Sequence, residues 1–117
     1  MSAEEKEFRA FVDGLFIEKR AGVNGFMHAS AGLAGESGEV LDLMKKVWVY
    51  SRPLNTEKTI EEMGDVLHYF FQMMIKLTET GTDVSLKDIM NANMAKLRKR
   101  YPDGFTKEAA IARADKS

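Results

Sequence analysis

The sequence predicts an all-α protein, a four-helix-bundle-like fold of four main helices and a short fifth one at the C-terminal end. Three observations predict it. Apolar residues recur at helical spacing in four successive segments. The chain has only two prolines and few β-branched runs, so little interrupts a helix. Two acidic motifs, Glu36-x-x-Glu39 and Glu62-x-x-Asp65, each put two carboxylates on one helix face.

Ser2 with Glu5 reads as a capping box that opens the first helix. Phe8, Phe11, Val12 and Leu15 follow at i, i+3, i+4, i+7, the apolar stripe of a helix running to about Arg20. Ala21 to Gly25 reads as a turn with two glycines. The second helix is expected from about Phe26 to Tyr50. Its first half carries a ridge of minimal side chains, Ala29, Gly32, Gly35 and Gly38. Each mid-helix glycine costs roughly 1 kcal/mol against alanine, so the ridge implies close approach by a ligand, a backbone or a packed helix.

Ser51 to Asn55 is a short link, which makes the second and third helices antiparallel neighbours. The third helix starts at Thr56 or Thr59 and runs to Thr80, with Gly81 as its stop. Ser85 with Asp88 caps the fourth, which runs to about Arg100 with Leu86, Ile89, Met90, Met94, Leu97 and Tyr101 on its apolar face. Pro102 ends it, Asp103-Gly104 turns the chain, and Thr106 caps a short alanine-rich helix. Residues 1–117 are read as one domain.

Composition excludes several classes. Net charge is −1, so no global field favours nucleic acid or an anionic membrane. There are no cysteines, hence neither a disulfide framework nor a thiolate metal site. The apolar run from Val66 to Ile75 contains His68 and Gln72 and is too short to span a bilayer. The polar N-terminal residues do not resemble a signal peptide, and a cytoplasmic location is expected.

The acidic motifs carry the chemistry. At about 100° per residue, Ala29, Leu33, Val40, Leu43 and Val47 all fall within about 60° of Glu36. Val66, Tyr69, Met73 and Leu77 surround Glu62 in the same way. Carboxylates on a core-facing stripe are costly unless paired or metal-bound. Heights counted from the link agree within roughly one turn at 1.5 Å per residue, so the two pairs meet across the helix interface. A hard cation with oxygen ligands fits between them. Alternatives remain for individual residues. Thr59 to Glu62 also reads as a simple capping box, and Lys96 and Arg100 also read as a solvated helix face. His28, Trp48 and Phe26 are read as packing groups, and His68 points away from the Glu62 direction.

The ordered motifs, separated by 22 residues, together with Asn93, Lys96 and the run Lys99-Arg100-Tyr101-Pro102-Asp103-Gly104-Phe105, resemble the MazG family of all-α nucleoside triphosphate pyrophosphatases. Ala31 to Glu36, Lys45-Lys46 and Gly64 to Leu67 add to the likeness, which spans about residues 26 to 106. The resemblance implies Mg²⁺-dependent hydrolysis of the α–β phosphoanhydride of a nucleoside triphosphate, with Mn²⁺ as a substitute. It implies Glu36, Glu39, Glu62 and Asp65 as metal ligands, with Glu36 or Glu39 orienting the attacking water. Lys46, Asn93, Lys96, Arg100 and Tyr101 would bind substrate. A house-cleaning role on deoxynucleotides is the implied physiology.

Three rival readings stand beside this one. A phosphoribosyl-ATP pyrophosphatase shares helices and bond chemistry. A di-iron bundle wants Glu-x-x-His motifs, which only Asp65-x-x-His68 approaches. A non-catalytic dimerisation module would leave the inward glutamates unexplained. Apolar residues around much of the second and third helices predict a homodimer or homotetramer, as the resemblance also implies.

Overall fold

The computed structural model describes residues 1–15, 22–113 and 115. It is all-helical among these: α1 (Ala3–Leu15), α2 (Gly22–Trp48), α3 (Thr56–Glu79), α4 (Leu86–Arg100) and α5 (Lys107–Ala112). The chain divides into two compact units, Ser2–Asp83 and Val84–Ser117, the latter joined by Met1. No described helix is long and apolar enough to cross a membrane.

In the first unit α3 is the central element, packed against both α2 and α1. The sequence explains the order. Asn55 caps α3 by accepting from the Lys58 N–H at 3.0 Å, so the helix begins at Thr56. Thr59 lies inside it, its hydroxyl donating to the Asn55 carbonyl at 2.8 Å. The capping-box alternative for Glu62 is thereby overturned, because the cap lies one turn earlier. At the other end Gly81 takes φ +103°, a left-handed conformation in which a Cβ would be strained.

Helix α2 starts at Gly22, not at Phe26. The expected glycine turn from Ala21 to Gly25 is therefore corrected from Gly22 onward. Its two glycines fall in the first turn, where a helix tolerates them better than in its interior, and Gly25 is buried. The expected end of the first helix near Arg20 lies outside the described residues. At its start, Ser2 Oγ accepts from the Glu5 N–H at 3.0 Å.

The core is built from Val12 of α1, Ala29 of α2, and Phe71 and Met74 of α3, all buried. Phe8 and Phe71 meet edge to face with centroids 4.9 Å apart, a favoured aromatic geometry. Arg9 donates to the Thr78 hydroxyl and approaches Asp83 at 3.8 Å, tying α1 to the end of α3. Gly32 abuts the Tyr69 ring, and Glu36, four residues on, meets Asp65, four residues back. Rising numbers on α2 thus face falling numbers on α3, and the helices run antiparallel as expected. The same register sets Glu39 level with Glu62.

In the second unit Ser85 and Asp88 form a full capping box. The Ser85 N–H donates to the Asp88 carboxylate at 2.8 Å and the Asp88 N–H to Ser85 Oγ at 3.2 Å. The Ser85 N–H, and then its hydroxyl donating at 2.9 Å, hold the Asp88 carboxyl below the ordinary range. Thr106 caps α5 through the Ala109 N–H at 3.0 Å, as its sequence predicts.

Candidate metal and nucleotide site

The antiparallel register brings three of the four expected acids together. One oxygen each from Glu36, Glu62 and Asp65 lies within 4.8 Å of the others. Glu36 comes from α2 and the other two from α3, one turn apart. Glu39 is exposed and stands outside this trio, yet its charge still reaches Glu36. Burial, then the charges of Asp65, Glu62 and Glu39, raise the Glu36 carboxyl above the ordinary glutamate range. An all-oxygen donor set with unbalanced negative charge suits a hard divalent cation.

That shift carries a pH prediction. A carboxyl raised in the folded state contributes stability at low pH and loses it as pH rises through the folded value. Metal-free protein is therefore expected to lose melting temperature as pH climbs above the usual glutamate range, and Glu36→Gln to remove that loss. Saturating Mg²⁺ is expected to reverse the slope, since it binds the ionised form. Thermal scans across pH, with and without Mg²⁺, read both effects.

Lys58 is a cation the sequence reading missed. Its Nζ lies 3.3 Å from Glu62 and 3.7 Å from Glu61. The hydrogen bond and charge of Glu62 raise its ammonium above the usual range. The legible signal was the i, i+4 spacing to Glu62. The Glu62 side chain is 13% exposed, consistent with its place on the apolar stripe.

Beside the acids opens a cavity of about 630 Å³. Glu36, Asp65 and Glu61 contribute its acidic wall; Phe8, Phe11 and Leu15 of α1 face it together with His68 and Tyr69 of α3. Phe11 is 60% exposed. Of the apolar stripe on the first helix only Val12 is fully buried, while Phe11 and Leu15 border open space. His68 stands outside the acidic trio, as expected. Its Nε2 meets Gln72 Nε2 at 2.9 Å, and burial holds the imidazole below its ordinary range against the pull of Asp65.

Lys46 is exposed near the end of α2, about 15 Å along the axis from Glu36 at 1.5 Å per residue. Asn93 and Lys96 are exposed on α4. Arg100 is already engaged: its Nε and Nη2 donate to the two Asp115 carboxylate oxygens at 2.6 and 2.9 Å. Its guanidinium also lies 5.9 Å from the Tyr101 ring centroid. The Asp115 side chain is 4% exposed, and the fork holds its carboxyl below the ordinary range.

Residues 26–105 match the MazG nucleotide pyrophosphohydrolase domain, about two thirds of the 117-residue chain. The chain belongs to the MazG family. No curated protein and no solved structure matches it. The match contains both acidic motifs, α3 and α4, so the acidic trio is part of a MazG domain. Helix α1, with Phe8 and Phe11, precedes the matched residues. The MazG assignment places the chain among nucleotide pyrophosphohydrolases, a typically metal-dependent family, and the trio supplies oxygen donors for a metal.

Proposed function

We propose that this MazG protein is a Mg²⁺-dependent nucleoside triphosphate pyrophosphohydrolase, releasing a nucleoside monophosphate and pyrophosphate. One observation carries the reading: three carboxylates from antiparallel helices converge beside a cavity with aromatic walls. Triphosphate brings about four negative charges to a site that already holds carboxylates, and only divalent cations reconcile them. Glu36, Glu62 and Asp65 would hold the ion, which supplies charge neutralisation at the phosphate oxygens. Glu39, near the trio but outside it, is the acid left to orient water and take its proton. The water oxygen then bonds to the α-phosphorus, the α–β bridging bond breaks, and pyrophosphate leaves. Phe8, Phe11 and Tyr69 offer ring faces for a base.

On α4, Lys96 and Arg100 are assigned to phosphate and Asn93 to a hydrogen bond, with Tyr101 next to Arg100 in the chain; Lys46 on α2 is a further candidate. Asp115 already compensates the Arg100 charge. Lys96→Ala is therefore expected to raise KM by roughly tenfold or more, as loss of a charged phosphate contact does. Arg100→Ala should raise it less, with part of its effect appearing as lost stability. Steady-state kinetics and melting curves of the two variants separate these outcomes.

A homodimer or homotetramer in the cytoplasm, acting on the deoxynucleotide pool, completes the reading. Trp48 is 89% exposed, and Leu41 on α2 with Ile60, Met63 and Leu67 on α3 are exposed too. These apolar side chains favour a second copy as their cover. The function is tested by measuring pyrophosphate release from a panel of ribo- and deoxyribonucleoside triphosphates, with and without Mg²⁺. Glu39→Gln is expected to abolish the Mg²⁺-dependent release. Wild-type protein inert towards every triphosphate would reject the reading.

A further inference from the structure

Helix α3 carries a polar pair that the acidic trio does not use. Gln72 is 4% exposed, and its side-chain nitrogen lies 2.9 Å from His68 Nε2. A primary amide nitrogen only donates. With the Gln72 amide nitrogen turned towards the ring, the imidazole nitrogen facing it accepts, and the ring proton resides on Nδ1. An imidazolium would set two donors against each other, so the arrangement also keeps the ring neutral. Holding it has a cost, because Gln72 Oε1 is buried without a hydrogen-bond partner, and such an oxygen is unfavourable.

His68 lines the cavity together with Phe11 and Tyr69, three residues beyond Asp65. That spacing is about 4.5 Å along the helix. Away from the acids the cavity wall of Phe8, Phe11, His68 and Tyr69 suits the uncharged, flat end of a ligand whose phosphates the trio holds. A neutral ring with a fixed donor, in an aromatic wall, suits such a group. We infer that Gln72 fixes His68 as an Nδ1–H donor, and that this donor selects an acceptor atom, a carbonyl oxygen or unprotonated ring nitrogen, on the substrate's nucleobase. This rests on the proposed triphosphate reaction and adds a specificity-determining residue, His68, with Gln72 as its positioning residue.

The test uses the full chain with Mg²⁺ and the triphosphate that wild-type protein hydrolyses best. His68→Phe keeps a ring without a donor, and His68→Asn keeps a donor near Nδ1. His68→Phe is expected to raise KM about tenfold, the size of one hydrogen bond, with kcat changed less than about twofold. His68→Asn should recover most of that KM. Imidazole ¹⁵N spectra, assigned against His28→Gln, should find the His68 proton on Nδ1 in wild-type protein and a mixture of tautomers in Gln72→Leu. Equal KM values in wild-type and His68→Phe, equal losses in both His68 variants, or a proton on Nε2 would each overturn the assignment while leaving the hydrolase reading intact. A wild-type protein that hydrolyses no triphosphate would overturn both.

Discussion

Glu62→Gln is expected to lower kcat/KM for triphosphate hydrolysis by roughly 10³-fold, about 4 kcal/mol of transition-state stabilisation. Glu62 is the least exposed acid of the motif on α3, and its oxygen lies within 4.8 Å of those of Glu36 and Asp65. Replacing it with the isosteric amide removes one negative charge from a site proposed to hold divalent cations. The fold should hardly notice. The Lys58 ammonium is half exposed, so its pair with Glu62 is worth little, and the trio repels itself in the absence of metal. The metal-free variant should therefore melt within a few degrees of wild type, and calorimetry should find its Mg²⁺ binding weakened. A large fall in metal-free melting temperature would mean that Glu62 is instead a structural partner of Lys58. Asp65→Asn is expected to behave the same way.

Gly32→Ala is the largest expected effect on stability. A Cβ at Gly32 would lie 2.3 Å from Tyr69 Cδ1 and Cε1. The ring is rigid and anchored on the facing helix, so relief requires the two helices to separate or Tyr69 to leave its place. Overpacking of this kind costs roughly 1–3 kcal/mol, or roughly 4–12 °C in melting temperature. Tyr69 also lines the cavity, so activity should fall along with stability. Gly38 is the contrast: nothing lies within 4 Å of a Cβ built there. Gly38→Ala should gain up to about 1 kcal/mol from helix propensity. If it loses stability in the native assembly, a second copy occupies that ridge.

The glycine ridge illustrates what the sequence made legible and what it did not. Spacing placed Gly32, Gly35 and Gly38 on one line and demanded a close neighbour. Only contact geometry could say that Gly32 has one, in Tyr69, while the other two face open space. The acidic motifs were readable because helical periodicity and a short link fix both direction and height. Caps at Ser85 and Thr106 were readable because capping is local. The start of α2 was not, since Gly22 and Gly25 carry the same signal in a turn as in a first helical turn. Periodicity reports which face of α1 is apolar, not whether another helix covers it. That Phe11 and Leu15 border a cavity is therefore not legible from their spacing. The Arg100–Asp115 fork joins residues fifteen apart, beyond any helical spacing rule.

The most direct measurement of the central claim is phosphorus NMR of the products formed from a triphosphate and Mg²⁺ in ¹⁸O-labelled water. Nucleoside monophosphate carrying the label, with unlabelled pyrophosphate, appearing in wild-type protein and absent from Glu62→Gln, is the predicted result. Nucleoside diphosphate with orthophosphate, label in the pyrophosphate, or equal turnover by the variant would contradict it.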